Sequence, residues 1–132
     1  MQARRLAALG VLVGMLGACT AQDGAPPQSF ASRPALPSCG ELHIAQGERV
    51  PDDAWECLDQ AVGGRGAELV VTSPTTEGDP TTTYYRVGPG IDHLELFIDV
   101  SQDAYRGDGP AWSHQVCPDT LTAAAPLGCA EA

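Results

Sequence analysis

Over residues 91–100, IDHLELFIDV, apolar and polar side chains trade places at nearly every step, the two-residue period of a half-buried strand. Leu94, Leu96, Ile98 and Val100 share one face; His93, Glu95, Phe97 and Asp99 share the other. Phe97 is the odd member of the polar face, and predicts either a residue covered by the C-terminal tail or an exposed contact point. ELHIAQ at 41–46 alternates in the same way and reads as a short first strand. AELVVTS at 67–73, TTTYYRV at 81–87 and AWSHQVC at 111–117 are rich in β-branched and aromatic residues and read as further strands, with GPG at 88–90 as a turn.

Between the first two strands the period changes. In PDDAWECLDQAV, residues 51–62, the apolar side chains Ala54, Leu58, Ala61 and Val62 follow at i, i+4, i+7 and i+8, a single helical stripe flanked by Trp55 and Cys57. Pro51 suits a first turn, Asp52 and Asp53 sit where a helix dipole favours acids, and Gly63 and Gly64 stop the helix. The pattern predicts an α+β fold, one amphipathic helix packed on an antiparallel β-meander of about four to five strands. Pairing 83, 85 and 87 with 96, 94 and 92 would place Arg86 beside His93 and Tyr84 beside Glu95 on the outer face; the turn does not fix that register.

The N-terminal 38 residues follow a different rule. Arg4 and Arg5 precede residues 6–18, which carry no charge and include six Ala and Gly. Thirteen helical residues reach only about 20 Å, short of a bilayer core, which fits a signal-peptide core rather than a membrane span. The run ends in Leu16-Gly17-Ala18-Cys19. This resembles the lipobox of bacterial lipoproteins: an aliphatic residue, two small ones, then cysteine. The resemblance implies a diacylglyceryl thioether on Cys19, cleavage just before it, and attachment to a membrane through that lipid. Residues 20–38, rich in Pro and poor in apolar side chains, read as a disordered tether spanning about 25 Å, in which Phe30 is the one residue suited to dock on the domain. The expected organisation is therefore a lipoprotein signal peptide at 1–18, lipidated Cys19 with a tether to 38, and a small α+β domain at 39–132.

Four more cysteines, Cys39, Cys57, Cys117 and Cys129, lie inside that domain. An even number in a small exported chain reads as two disulfides, and three pairings are open. The local pairs Cys39–Cys57 and Cys117–Cys129 are favoured because each closes a short loop. None of the four lies in a C-x-x-C pair, which speaks against zinc. Charge narrows the partners: 7 basic residues face 17 acidic ones, a formal net charge of −10 without a single lysine. Loss of Arg4 and Arg5 with the leader makes the balance more acidic still. Such a surface repels nucleic acid and anionic headgroups.

The most distinctive stretches are TTEGDPTTTYYRV at 75–87 and DVSQDAYRGDG at 99–109. Thr75, Glu77, Gly78, Asp79, Pro80, Asp99, Ser101, Asp103, Tyr105 and Cys117 together resemble a group of small exported bacterial proteins and lipoproteins of unknown function; Arg106, between the aromatic residue and Gly107, departs from that pattern. The resemblance supports the fold and implies no activity. Asp99, Ser101 and Asp103 have the spacing of a calcium loop, but Ala104 and Pro110 stand where an EF-hand requires Gly and Glu. Glu77, Asp79, Asp99 and Asp103 remain the candidate ligand or metal set, against the simpler reading that they cap turns. His93, Glu95 and Asp99 form a weaker metal candidate on one strand face. His43 and His114 read as surface residues. Ser73, Ser101 and Ser113 carry no nucleophile signature, so no catalytic residue is assigned. The sequence thus predicts a monomeric, lipid-anchored, extracytoplasmic domain without cofactor that binds a protein or envelope ligand. The alternative is a small envelope enzyme or divalent-metal module built on the four acids.

Overall fold

The computed structural model describes residues 24–132; the expected leader and Cys19 lie outside them. The elements in order are α1 (Gln28–Ala31), β1 (Ser38–His43), α2 (Asp52–Ala61), β2 (Ala67–Pro74), β3 (Pro80–Val87), β4 (Leu94–Asp99), β5 (Trp112–Cys117) and β6 (Ala130–Glu131). The six strands form one sheet in chain order. All neighbours are antiparallel except β1 and β2, which run parallel. The fold is thus α+β, as expected, but the sheet is mixed and has one strand more than the four to five predicted. The parallel pair follows from α2: a crossover helix returns the chain to the end from which β1 started, so β2 runs in the same direction.

The segment DDAWECLDQA contains no Gly, Pro or β-branched residue, and its two acids occupy the first turn. Ala54 and Leu58 are buried against the sheet, in one core cluster with Leu69 and Val71 of β2, Val87 of β3, and Leu94 and Leu96 of β4. Trp55 packs edge-on against Tyr85, with ring centroids 5.0 Å apart. Val62, the predicted end of the apolar stripe, lies just past the helix and is 47% exposed. The chain leaves helical geometry there, and Gly63 follows with φ of 74°.

Both disulfides adopt the favoured pairing. Cys39–Cys57 joins β1 to α2, and Cys117–Cys129 closes the loop between β5 and β6. Where β2 begins and β3 ends the backbones nearly touch. A Cβ on Gly66 would lie 2.8 Å from Gly88 Cα, and both glycines have positive φ.

The segment expected to be a tether is part of the fold from Gly24 onward. Trp112 donates from Nε1 to Gly24 O at 3.1 Å, Glu68 N donates to Pro37 O at 2.8 Å, and Phe30 lies between Tyr84 and Trp112, at centroid distances of 4.6 and 4.7 Å. We call residues 24–37 the strap. Composition suggested disorder because the strap contributes few apolar side chains of its own; the sheet supplies the rest.

Candidate functional site

Alternation along the strands divides the sheet into two faces. One lies under α2. On the other, cross-strand neighbours form three rows: Glu68–Arg86–Glu95, then Val70–Tyr84–Phe97–His114, then Thr72–Thr82–Asp99–Trp112. The register differs from the one sketched from sequence. Arg86 stands opposite Glu95 rather than His93, and Tyr84 opposite Phe97 rather than Glu95. The reason is the length of the connection: residues 88–93 form the loop, His93 has a φ of 61°, and β4 starts only at Leu94. A two-residue shift preserves the face of every side chain but changes each partner.

The first row is a chain of charges. Arg86, only 3% exposed, donates from Nε to Glu68 at 2.9 Å and from Nη1 to Glu95 at 2.5 Å, and from Nη2 to Pro34 O at 2.6 Å. Glu68 also accepts from Arg33 Nε at 3.0 Å, and Glu95 accepts from His114 Nε2 at 2.8 Å. Two guanidiniums and two carboxylates therefore balance, with the imidazole at one end. The Arg33 guanidinium also lies 3.7 Å above the Phe30 ring, a cation–π contact that joins the strap to the row.

The second and third rows hold aromatic side chains. Phe97, expected either to be covered by the C-terminal tail or to be an exposed contact point, is 1% exposed; it stacks on His114 at 4.1 Å and meets Phe30 at 5.3 Å. Its cover is the strap, not the C-terminus. His114, expected at the surface, is only 22% exposed, being held between Phe97 and Glu95. Burial pushes the Tyr84 hydroxyl above its usual pKa, nearby Asp99 adds to the rise, and Arg33 opposes it. Burial likewise raises Tyr85 on the opposite face. Between the strap and the 88–93 loop lies a cleft of about 400 Å³, reached by Arg33, Arg86, Glu95 and His114. His114 and Glu95 have the form of a base and its orienting acid. Ser113, next to His114 in β5, projects from the other face of the sheet, so this pair has no serine from its own strand beside it.

The acidic set is only partly assembled. The 75–80 turn and the 99–109 loop do meet, since Ala104 N donates to Asp79 Oδ2 at 2.9 Å. The other carboxylates serve their own loops: Asp99 accepts from Ser101 N and Asp103 from Tyr105 N, each at 2.8 Å. Asp79 N donates to Thr75 Oγ1 at 3.1 Å, closing the turn that carries Glu77. Among the described residues no group of three or more His, Cys, Asp and Glu side chains could hold a metal ion. His93, Glu95 and Asp99 do not come together either. Asp92 Oδ1 lies 3.3 Å from His93 Nδ1, Glu95 belongs to the charged row, and Asp99 caps its loop.

Sequence reasoning did not find Arg33, Glu68 and His114 as a connected set. The available signal was Arg86 alone: a cation in a strand flanked by β-formers requires paired acids across it. Two disulfides in a chain of this size fit an oxidising, extracytoplasmic surrounding. Among the described residues no helix is long and apolar enough to cross a membrane. No protein-family model matches the chain, and neither curated proteins nor solved structures give a match.

Proposed function

We propose that this chain is a lipid-anchored, non-catalytic binding module working outside the cytoplasmic membrane, with Cys19 as the acylated residue and a protein or another envelope component as its ligand. The observation that carries the reading is how the charged side chains of the sheet are used. Arg86 places Nε, Nη1 and Nη2 on partners within the chain, and Arg33, Glu68, Glu95 and His114 are all engaged in the same row. Arg33 and Arg86 hold the strap to the sheet through Glu68 and Pro34 O, and Glu95 and His114 complete the row behind Arg86. The LGAC sequence supports the anchor, and the two disulfides support the compartment.

The docked strap changes the geometry of such an anchor. Gly24 is already docked, so at most residues 19–23 would separate the lipid from the domain. Five extended residues reach at most about 18 Å. The domain would then sit close to the bilayer, with the Trp112 end of the sheet nearest it. Mass spectrometry of the native N-terminus tests the anchor: a diacylglyceryl-modified Cys19 is expected, and an unmodified cysteine overturns it. A panel of esters, glycans and peptides tests the second half, with no turnover expected. The divalent-metal alternative has one observation in its favour, the Asp79–Ala104 contact that brings the two acidic loops together. Calorimetry with calcium separates the readings, since a module of the proposed kind gives neither binding heat nor a change in melting temperature.

A further inference from the structure

The end of the sheet away from Trp112 carries a second concavity, of about 240 Å³. Its floor is core: Val87, Leu94 and Ala123 are each at most 1% exposed. Its lips are not. Val62 is 47% exposed and Leu121 is 93% exposed.

The loop that presents Leu121 is fixed on three sides. Cys117–Cys129 closes it. Asp59 of α2 accepts from Thr122 Oγ1 at 2.7 Å and from Ala123 N at 2.8 Å. Across the loop, Leu127 N donates to Thr120 Oγ1 at 3.0 Å. A leucine held in water by a stapled loop, beside an apolar hollow, lacks the burial that ordinarily accompanies such ordering. The rim is acidic. Asp59 lines the hollow, and Asp92 lines the adjoining groove that shares Val62 and His93. These charges favour a cationic visitor and repel an acidic one.

We propose that this notch is a docking surface for a cationic partner protein, which lays an aliphatic side chain against Val62 and Leu121 and places arginines or lysines near Asp59 and Asp92. The inference rests on the binding-module reading and adds to it the surface and the chemistry of the partner. The two also agree in geometry. The strap enters at the Trp112 end of β5, whereas Leu94 pairs with Cys117 at the opposite end, so an anchored domain would turn the notch away from the bilayer.

The test is a nuclear magnetic resonance titration of the isotope-labelled full chain in zwitterionic micelles. The probe is a capped peptide with one central leucine and two arginines on each side. Amide shifts are expected at Val62, His93 and the 120–123 loop, and a glycine-centred peptide should bind about tenfold more weakly. Leu121→Ser should give a similar loss; with so exposed a side chain, its folding is not at stake. Asp92→Asn should weaken binding further at low salt than at high salt. Shifts spread over the acidic surface, equal for both peptides, would overturn the inference, as would no shift at all. Peptide bound only in the cleft under the strap would overturn the notch and leave the binding module standing. Turnover in the substrate panel would remove the module while leaving the binding map intact.

Discussion

The two faces of the sheet are both covered, but by different means. Under α2 the contacts are mainly aliphatic, with Leu58, Leu69, Leu94 and Val87 essentially excluded from water and one aromatic pair, Trp55 and Tyr85, at their side. Under the strap a balanced row of charges lies beside a patch of aromatic rings, and the cover is fourteen residues containing one helical turn. Apolar packing tolerates approximate partners, because burial is non-directional. A buried ionic row does not, because each member depends on the next. The inner face should therefore respond to mutation gradually and the outer face abruptly.

Removing the central cation gives the sharpest contrast. Arg86→Ala leaves Glu68 and Glu95, 18% and 16% exposed, facing each other without their guanidinium, and should destabilise the protein by about 3–5 kcal/mol in denaturant unfolding. Replacing Arg33, Glu68, Arg86 and Glu95 together by apolar residues of similar size should leave stability close to that of the parent, because both carboxylates and both guanidiniums of the row are removed at once. If the single and quadruple variants unfold at the same denaturant concentration, the row is not the electrostatic unit described. Leu58→Ala under the helix provides the reference, costing about 2–5 kcal/mol through the cavity alone.

The disulfides come next. Cys39 and Cys57 are 18 residues apart, and replacing both by alanine should cost about 3 kcal/mol. The 12-residue Cys117–Cys129 closure should contribute slightly less on loop length, and its loss should act locally, loosening β6 and the Leu121 loop. Thermal unfolding of the two double mutants measures the first difference, and amide exchange of the Leu121 loop measures the second.

Phe30→Ala tests the strap by itself. The ring is partly buried among Tyr84, Phe97 and Trp112, so the loss should be about 2 kcal/mol. It should fall on the strap and not on the core: Trp112 emission should shift to the red while Trp55, packed on Tyr85 on the opposite face, keeps its environment. Equal changes at both tryptophans would mean that the strap and the core unfold as one unit.

The contrast between the faces also explains what was legible in the sequence. The inner face could be read because its determinants are local: period two in the strands, period 3.6 in 52–61, and cysteines close enough to pair within short loops. The parallel β1–β2 pair was less visible, because strand direction depends on how the crossover helix packs and not on any residue in the strands. The outer face was hidden for two physical reasons. Arg33 and Glu68 are 35 residues apart, and Arg86 reaches Pro34 across 52, so no window of sequence holds both ends of a contact. And the strap has the composition of a disordered segment, its order coming from the surface on which it lies. Phe97 showed the gap from one side, as an apolar residue in a polar row, and Phe30 from the other, as the lone aromatic of the supposed tether. Of the acidic candidates, the contact between the two loops was open from sequence; that Asp99 and Asp103 each cap a nearby backbone N–H is the reading their spacing most simply predicted.

The smallest effect follows the two faces side by side through adjacent tyrosines. Tyr85 projects under α2 and Tyr84 under the strap. For both, burial raises the pKa above the ordinary value of 10.0. Ionised tyrosine is the charged form, so the folded protein holds these protons more tightly than the unfolded chain does. Their contribution is complete below about pH 10 and is lost as the pH rises through the folded-state values. Stability should therefore decline on the alkaline side, and phenolate absorbance should appear later in the native protein than in denaturant. Only Tyr84 also responds to neighbouring charges, being raised by Asp99 and lowered by Arg33, whereas Tyr85 has only a hydrogen bond with Thr83 to oppose its burial. Arg33→Gln should delay its ionisation further and leave Tyr85 unchanged, and Asp99→Asn should advance it. If both tyrosines moved together in either variant, the charges of the outer face would be reaching through the sheet, and the separation of the two faces would fail at its most sensitive point.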